Sequence, residues 1–183
     1  MHSTPLTAGD SLLLRPFDDG DALAFAAAAR ESVVTVGRWM PWCSEGYSEQ
    51  DALDWFAACR AGAAAGTAHE FGIFDRETDA FIGGAGLNLI NPQHLYCNLG
   101  YWVRQSRQGQ GVAGRCVQAL AAHAFGVLGL RRVEIIVAEG NRPSEAVARK
   151  SGALLECVAR QRLNIRGLSV PASVFSLVAG SDR

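Results

Sequence analysis

This 183-residue chain lacks several features that would place it in a specialised class of proteins. It has no apolar run of the about 20 residues that a membrane-spanning helix needs. Its first ten residues lack the basic flank and apolar stretch of a secretory signal peptide. Its net charge of −1 provides no basic surplus for binding nucleic acid. The sequence therefore predicts a cytoplasmic protein with neither a membrane nor a nucleic acid as partner.

Cysteine pairs at metal-binding or redox spacing are also missing. The five cysteines are scattered, and none forms a C-x-x-C pair or lies at metal-ligand spacing from a histidine. Such usage is typical of free thiols in a reducing compartment. We therefore expect no metal site and no disulfide framework.

The composition that is present is that of an ordinary globular domain. Apolar residues make up 49% of the chain and charged residues 19%. The length suits one domain over residues 1–183, and strand-like and helix-like segments alternate in a mixed α/β order. One predicted strand, over residues 81–90, contains Gly83, Gly84 and Gly86, which indicates a bulge or a close backbone approach.

The most informative segment covers residues 98–113, where a predicted strand runs through a glycine-containing turn into a predicted helix. Gly109 and Gly111 remove side chains where the backbone enters that helix. Several N–H groups can therefore converge at the positive end of the helix dipole, which is a phosphate-binding arrangement. The turn consists of Gln108, Gly109, Gln110, Gly111, Val112 and Ala113.

Two other nucleotide motifs fit this turn less well. Gly109, Gly111 and Gly114 spell G-x-G-x-x-G, but Glu139, at the end of the next predicted strand, follows about 25 residues later instead of about 20. No early strand–helix–strand array surrounds the turn, and no Walker lysine follows it. An NAD-dependent oxidoreductase is therefore the weakest alternative.

The turn is better described as Q-x-x-G-x-A, and residues 108–113 resemble the pyrophosphate-binding motif of the GNAT superfamily of N-acetyltransferases. Asn141 and Ser144, with the helix predicted after them, are similar to the superfamily's second signature. Residues 39–42, WMPW, and 100–102, GYW, look like the subfamily that acetylates N-termini of ribosomal proteins. Together these segments extend the resemblance over nearly the whole chain.

The resemblance implies a fold and a cosubstrate. The fold is a mixed, mostly antiparallel twisted sheet with flanking helices, in which two central strands splay apart to admit acetyl-CoA. The turn of residues 108–113 would hold its pyrophosphate. A backbone N–H of Trp102 or Val103 would polarise the thioester and pair with the pantetheine amides. The subfamily also implies a homodimer.

The resemblance places Asn141 and Ser144 beside the cosubstrate, with Ser144 where the subfamily's serine protonates the departing thiolate. Both residues could also serve simply to cap the helix that follows them. A general base is expected as well. Glu70, at the start of a predicted strand, is the leading carboxylate, Glu139 competes with it, and Asn88 could anchor a water that replaces either.

The acceptor is expected to bind beside the tryptophans between the first helices. Trp39 and Trp42, with Trp55, are candidate walls of its groove, and core packing is the alternative role for all three. The predicted function is transfer of an acetyl group from acetyl-CoA to a protein N-terminal α-amine. The alternatives are acetylation of a small amine, such as an antibiotic or a polyamine, and a non-catalytic acyl-CoA-binding module.

Overall fold

The computed structural model describes residues 4–180, so the two ends of the predicted domain, residues 1–3 and 181–183, lie outside the described residues. The strands are β1 (Leu6–Ala8), β2 (Leu12–Arg15), β3 (His69–Asp75), β4 (Phe81–Asn91), β5 (Tyr96–Val103), β6 (Arg132–Ala138), β7 (Leu154–Ile165) and β8 (Leu168–Val178). The helices are α1 (Ala22–Glu31), α2 (Glu49–Ala65), α3 (Val112–Gly126) and α4 (Arg142–Lys150). Short 3₁₀ turns at Asp19–Asp21 and Gln105–Arg107 precede α1 and α3.

All eight described strands form one sheet in the order β1-β2-β3-β4-β5-β6-β8-β7. Neighbouring strands are antiparallel except β5 and β6, which are parallel. Pairing between β5 and β6 covers only Tyr96–Asn98 against Arg132–Glu134. Beyond Asn98 the two strands diverge toward their C-terminal ends and leave a gap in the middle of the sheet. This confirms the predicted fold class, including the splay.

The helices cover the two faces of the sheet. On one face, α3 and α4 pack over a core that includes Phe71, Leu87, Leu99 and Leu120. On the other, α1 and α2 enclose an aromatic cluster. Its rings are those of Phe17, Phe25, Tyr47, Phe56, Phe74, Phe81 and Trp102. In the central strands β3, β4 and β5, residues on opposite faces therefore belong to different cores.

Local sequence explains most helix boundaries. Ser48 accepts a hydrogen bond from the N–H of Asp51 at 3.1 Å, and the Asp51 carboxylate accepts one from the N–H of Ser48 at 2.8 Å. This capping box starts α2. The 3₁₀ turn at Asp19–Asp21 leads directly into α1. In α4, Pro143 is the second residue, after Arg142.

Two further findings concern the first strand and the helices. Strand β1 has only three residues, too few to show a strand pattern in the sequence. Within residues 4–180, no helix is both long and apolar enough to cross a membrane.

Candidate active site

The glycine-containing turn has the geometry of an anion-binding site. Gly109 and Gly111 have φ values of +74° and +73°, a backbone region that side chains with a Cβ rarely adopt. Gly111 is the N-cap of α3, and no side chain caps this helix end. The first N–H groups of α3 are therefore free of a side-chain partner and lie at the positive end of the helix.

The turn is held against the end of α1. The Glu31 carboxylate accepts hydrogen bonds from the Arg104 guanidinium and, at 2.7 Å, from the N–H of Ser106. The hydrogen bond from Arg104 is the main reason that the pKa of Glu31 is lowered to about 2. The N–H of Gln105 also donates to Ser32 Oγ at 3.0 Å. These bonds fix the entrance of the turn before any ligand arrives.

The Gln108 side chain has a structural role that the sequence motif did not reveal. Its Nε2 donates to the carbonyl oxygen of Val103 at 2.8 Å and to Thr35 Oγ1 at 3.1 Å. The glutamine therefore ties the turn both to the end of β5 and to the segment after α1. Its own N–H donates to the carbonyl oxygen of Gln105 at 3.3 Å, so the N–H groups suited to an anion belong to the residues that follow it.

Register determines which backbone groups of β5 face the gap. The N–H of Arg104 donates to Ile82 of β4 at 2.8 Å. Because an antiparallel strand directs alternate residues to opposite sides, the N–H of Trp102 points toward β4 as well. The N–H groups of Tyr101 and Val103 then face β6. Of the two residues predicted to contact the thioester, Val103 thus lies in the better register.

Asn141 and Ser144 lie at the start of α4, on the far side of the gap. Asn141 is the N-cap, and its Oδ1 accepts from the N–H of Ser144 at 3.3 Å. The capping role considered from the sequence is therefore present. Ser144 Oγ faces the gap, where it contacts a residue of β5.

That residue is Tyr101, which sequence reasoning did not place in the site. Its hydroxyl lies 2.9 Å from Ser144 Oγ and donates to the Ser144 carbonyl oxygen at 3.1 Å. Burial raises the pKa of Tyr101, and the hydrogen bond with Ser144 acts in the opposite direction. Only strand alternation could have indicated this contact, by placing Tyr101 on the face opposite Trp102.

Glu70 lies on the α1–α2 face, at the end of a hydrogen-bonded row that crosses three strands. Asn98 Nδ2 donates to Asn88 Oδ1 at 2.9 Å, and Asn88 Nδ2 donates to Glu70 Oε1 at 2.9 Å. Burial raises the pKa of Glu70, and the hydrogen bond from Asn88 partly offsets this. The row brings together the two predicted residues, Glu70 and Asn88, and adds Asn98, which pairs with the last β6 residue before the splay.

Glycines form the floor between this carboxylate and the gap. Gly86 is opposite Glu70 on β4, and a Cβ at Gly86 would collide with the Glu70 carboxylate. Gly100 is the next residue across, on β5, and a Cβ there would meet only Asn88 Nδ2 at 3.9 Å. The close approach predicted for the β4 glycines is therefore present, and open space lies above Gly100.

A cavity of about 600 Å³ opens beside Glu70 and Asn88. Its walls come from α2, from the turn between α2 and β3, and from the adjoining ends of β4 and β5. The other lining residues are Trp55, Ala58, Cys59, Thr67, Ala68, Leu89, Ile90, Asn91 and Tyr96.

The three candidate tryptophans lie in different places. Trp55 lines the cavity. Trp42 packs edge to face on Trp102 and Tyr47, with ring centroids 5.3 and 5.5 Å apart, and keeps 38% of its surface exposed. Trp39 lies near the turn before α4, with its ring edge 3.8 Å from where a Cβ of Gly140 would stand. They therefore do not form the walls of a single groove.

The remaining candidates have less support. Glu139 is exposed at the end of β6, whereas Glu70 is half-buried beside the cavity. Within residues 4–180, no cluster of three or more histidine, cysteine or acidic residues could hold a metal ion. The site therefore combines an anion-binding turn, a splayed sheet and a partly buried carboxylate.

Several known proteins are similar to this chain. A family model described as an acetyltransferase (GNAT) domain matches residues 11–154. The uncharacterized N-acetyltransferase p20 of Bacillus licheniformis is 31% identical over 113 residues, 62% of this chain and 64% of that protein. The ribosomal-protein-serine acetyltransferase of Escherichia coli (strain K12) is 36% identical over 96 residues, 52% of each protein. The chain thus spans less than two thirds of the length of either relative.

A solved structure agrees over almost the full length. Mycobacterium smegmatis RimJ, in complex with CoA-disulfide, superposes with a TM-score of 0.87 at 24% identity, covering 98% of this chain and 90% of that chain. At this identity the likeness shows the fold alone.

Proposed function

Since the chain belongs to the acetyltransferase (GNAT) family, we propose that it transfers the acetyl group of acetyl-CoA to the α-amine of a protein N-terminus. The observation that carries the proposal is the gap between β5 and β6 beside the uncapped start of α3. The likeness to a ribosomal-protein-serine acetyltransferase supports a ribosomal-protein-like acceptor. The five free cysteines, four of them buried, suit a cytoplasmic location.

The donor side of the site fits acetyl-CoA. The backbone of residues 109–113 presents N–H groups suited to a pyrophosphate. The hydrogen bonds that Glu31 accepts from Arg104 and Ser106 hold this turn in place. In the gap, the N–H groups of Val103 and Tyr101 would bond to an extended ligand as an added strand does. The ligand supplies the thioester, and the protein supplies aligned donors for its carbonyl oxygen.

The acceptor side centres on Glu70. An amine in the open space above Gly100 would lie beside the Glu70 carboxylate, which accepts its proton directly or through a water held by Asn88. The amine nitrogen then forms a bond to the acetyl carbon while the carbon–sulfur bond breaks. The proton taken by Glu70 passes to solvent. Because the raised pKa makes Glu70 a stronger base than an exposed carboxylate, it suits this role better than Glu139.

The departing sulfur would be stabilised from the α4 side. Ser144 Oγ can donate a hydrogen bond into the gap when the Tyr101 hydroxyl, 2.9 Å away, turns its proton from the Ser144 carbonyl oxygen to Ser144 Oγ. Asn141 acts through the cap that orients Ser144. A serine hydroxyl is a weak acid, so we assign Ser144 chiefly to hydrogen bonding with the sulfur.

Calorimetric titration with acetyl-CoA, followed by assays of free thiol release, tests the proposal. We expect binding of acetyl-CoA, no comparable binding of NAD, and thiol release with peptides that carry ribosomal-protein N-termini. Absence of acetyl-CoA binding would overturn the proposal. Binding without turnover on peptides, aminoglycosides and spermidine would instead favour a non-catalytic acyl-CoA-binding module.

Replacing Ser144 by alanine should lower kcat by about ten- to a hundredfold, because a hydrogen bond to a charged group contributes about 1.5–3 kcal/mol. Tyr101→Phe should lower kcat less, since it leaves Ser144 in place but without its partner. Neither substitution should change the KM for acetyl-CoA more than about twofold, because the phosphate contacts are untouched.

A double-mutant cycle provides the control. If the two hydroxyls act as one unit, Tyr101→Phe should add little to Ser144→Ala. Fully additive losses of kcat would show that Tyr101 acts independently of Ser144.

A further inference from the structure

The cavity beside Glu70 has only one charged group among its lining residues, and that group is Glu70 itself. Its other walls are mainly apolar and include the side chains of Trp55, Ile90 and Tyr96. A volume of about 600 Å³ is far larger than an amine requires and falls within the range of small-ligand pockets. The cavity can therefore hold a substantial group attached to the acceptor amine.

Two large apolar side chains stand at this cavity with unusual exposure. Trp55 of α2 is 40% exposed and Leu89 of β4 is 69% exposed. Leu89 has a φ of +51°, at the point where the register between β4 and β5 shifts. Such a conformation is strained for a residue other than glycine, and bulges often redirect a side chain beside a functional site. Apolar surface is thus held open toward the cavity.

Two carboxylates on strands beyond β5, Glu134 and Glu156, share one arginine. Arg132 binds Glu134 at 2.9 Å and Glu156 at 2.6 Å. Glu156 also accepts a hydrogen bond from Ser176 Oγ at 2.6 Å. A second ammonium group on an acceptor would therefore have to compete with Arg132 for either carboxylate.

We infer that the cavity binds the group carried by the acceptor amine, and that it selects primary amines with a bulky apolar group over polycationic ones. This inference rests on the proposed acetyl transfer and names its acceptor class. One positive charge meets Glu70, and the apolar group contacts Trp55 and Leu89. The same chemistry occurs in a peptide whose first residue is apolar and in a free arylalkylamine.

Competition between acceptors tests the selectivity. Peptides that differ only in a first residue of phenylalanine, serine or lysine are compared, together with 2-phenylethylamine and spermidine. We expect kcat/KM for the phenylalanine peptide to exceed that for the lysine peptide at least about tenfold, and 2-phenylethylamine to exceed spermidine similarly. If the enzyme discriminates among the peptides and accepts neither free amine, the natural acceptor is a peptide. If it acetylates 2-phenylethylamine and none of the peptides, the natural acceptor is a free amine.

Two substitutions on α2 test whether the cavity is responsible. Ala58 lines the cavity on the exposed side of the helix, and its neighbour Ala57 is exposed without lining it. Ala58→Leu should reduce kcat/KM for the phenylalanine peptide at least about tenfold, and Ala58→Glu should improve turnover of spermidine by adding a second carboxylate. Ala57→Leu and Ala57→Glu are the matched controls and should behave like the wild type.

Direct binding of the amines to the CoA-loaded protein separates this inference from the proposed function. If acetyl transfer occurs but all acceptors bind and react equally well, the cavity inference is wrong and the proposed function stands. If no transfer is seen, preferential binding of 2-phenylethylamine that is lost in Ala58→Leu still supports the inference. If the wild type and Ala58→Leu bind 2-phenylethylamine equally well, the inference is wrong.

Discussion

Replacing Gly109 or Gly111 by alanine should weaken binding of acetyl-CoA by about a hundredfold. Both glycines have positive φ values, and a Cβ there favours a backbone rotation that turns the adjacent N–H groups away from a common point. Loss of one or two hydrogen bonds to a phosphate accounts for this magnitude. Isothermal titration calorimetry measures the affinity, and thermal unfolding measures the accompanying loss of stability.

Gly129 supplies a matched control for this strain. It has a φ of +66° and nothing within 4 Å of a Cβ, as do Gly109 and Gly111, but it follows the other end of α3. Gly129→Ala should therefore reduce the free energy of unfolding by about 1–2 kcal/mol, as the other two do, and leave acetyl-CoA affinity unchanged. Equal affinity in all three variants would show that the turn does not bind the cosubstrate.

Replacing Glu70 by glutamine should lower kcat by about a hundredfold or more, because the amine loses its base. The glutamine carbonyl can still accept the hydrogen bond from Asn88, so the row across the strands is preserved. Glu139→Gln is the control and should change kcat less than about twofold. A larger loss in Glu139→Gln than in Glu70→Gln would transfer the role to the exposed carboxylate.

The pH dependence of the reaction gives an independent check on Glu70. Burial raises its pKa above the usual value of 4.5, so activity should increase as the pH rises through this raised value and Glu70 ionises. The corresponding limb should be absent from the Glu70→Gln profile. Asn88 donates a hydrogen bond to Glu70, and the charge of Glu70 acts on Cys59, whose pKa is raised to about 12 mainly by burial and further by that charge.

As the pH rises through the pKa of Glu70, the contribution of this residue to the free energy of unfolding should fall while the activity increases. Because the folded state binds the Glu70 proton more tightly than the unfolded chain does, the stabilising effect of that proton is complete below the unfolded pKa. It is lost as the pH rises through the folded pKa. At neutral pH the buried carboxylate therefore destabilises the fold, and Glu70→Gln should have an equal or higher Tm. A lower Tm would indicate that Glu70 holds the sheet together.

Local signals in the sequence predicted the fold and the donor side of the site. The glycine-rich strand over residues 81–90 and the Gly109–Gly111 turn that leads into a helix depend on neighbouring residues, and the structure has both where the sequence predicts them. The resemblance to the acetyltransferase superfamily is confirmed by the match over residues 11–154. The roles of the individual site residues stay predictions.

Contacts between distant parts of the chain could not be predicted in the same way. Tyr101 and Ser144 are 43 residues apart, and only the packing of α4 against the sheet brings them together. The cavity likewise depends on how α2 crosses the ends of β4 and β5. The three tryptophans share a short stretch of sequence, but each packs against a different element. The homodimer and the extent of the single domain also stay predictions.

The glycine floor has a consequence for how acceptor preference could evolve or be engineered. In the proposed site, Gly86 and Gly100 would present only backbone to the acceptor, so the floor offers no side chain to exchange, and any side chain at Gly86 would displace Glu70. Changes of preference must then come from the walls, chiefly α2 and the bulge at Leu89. These walls can vary without disturbing the hydrogen bonds of the sheet. One catalytic floor could thus serve a series of enzymes that differ only in what surrounds it.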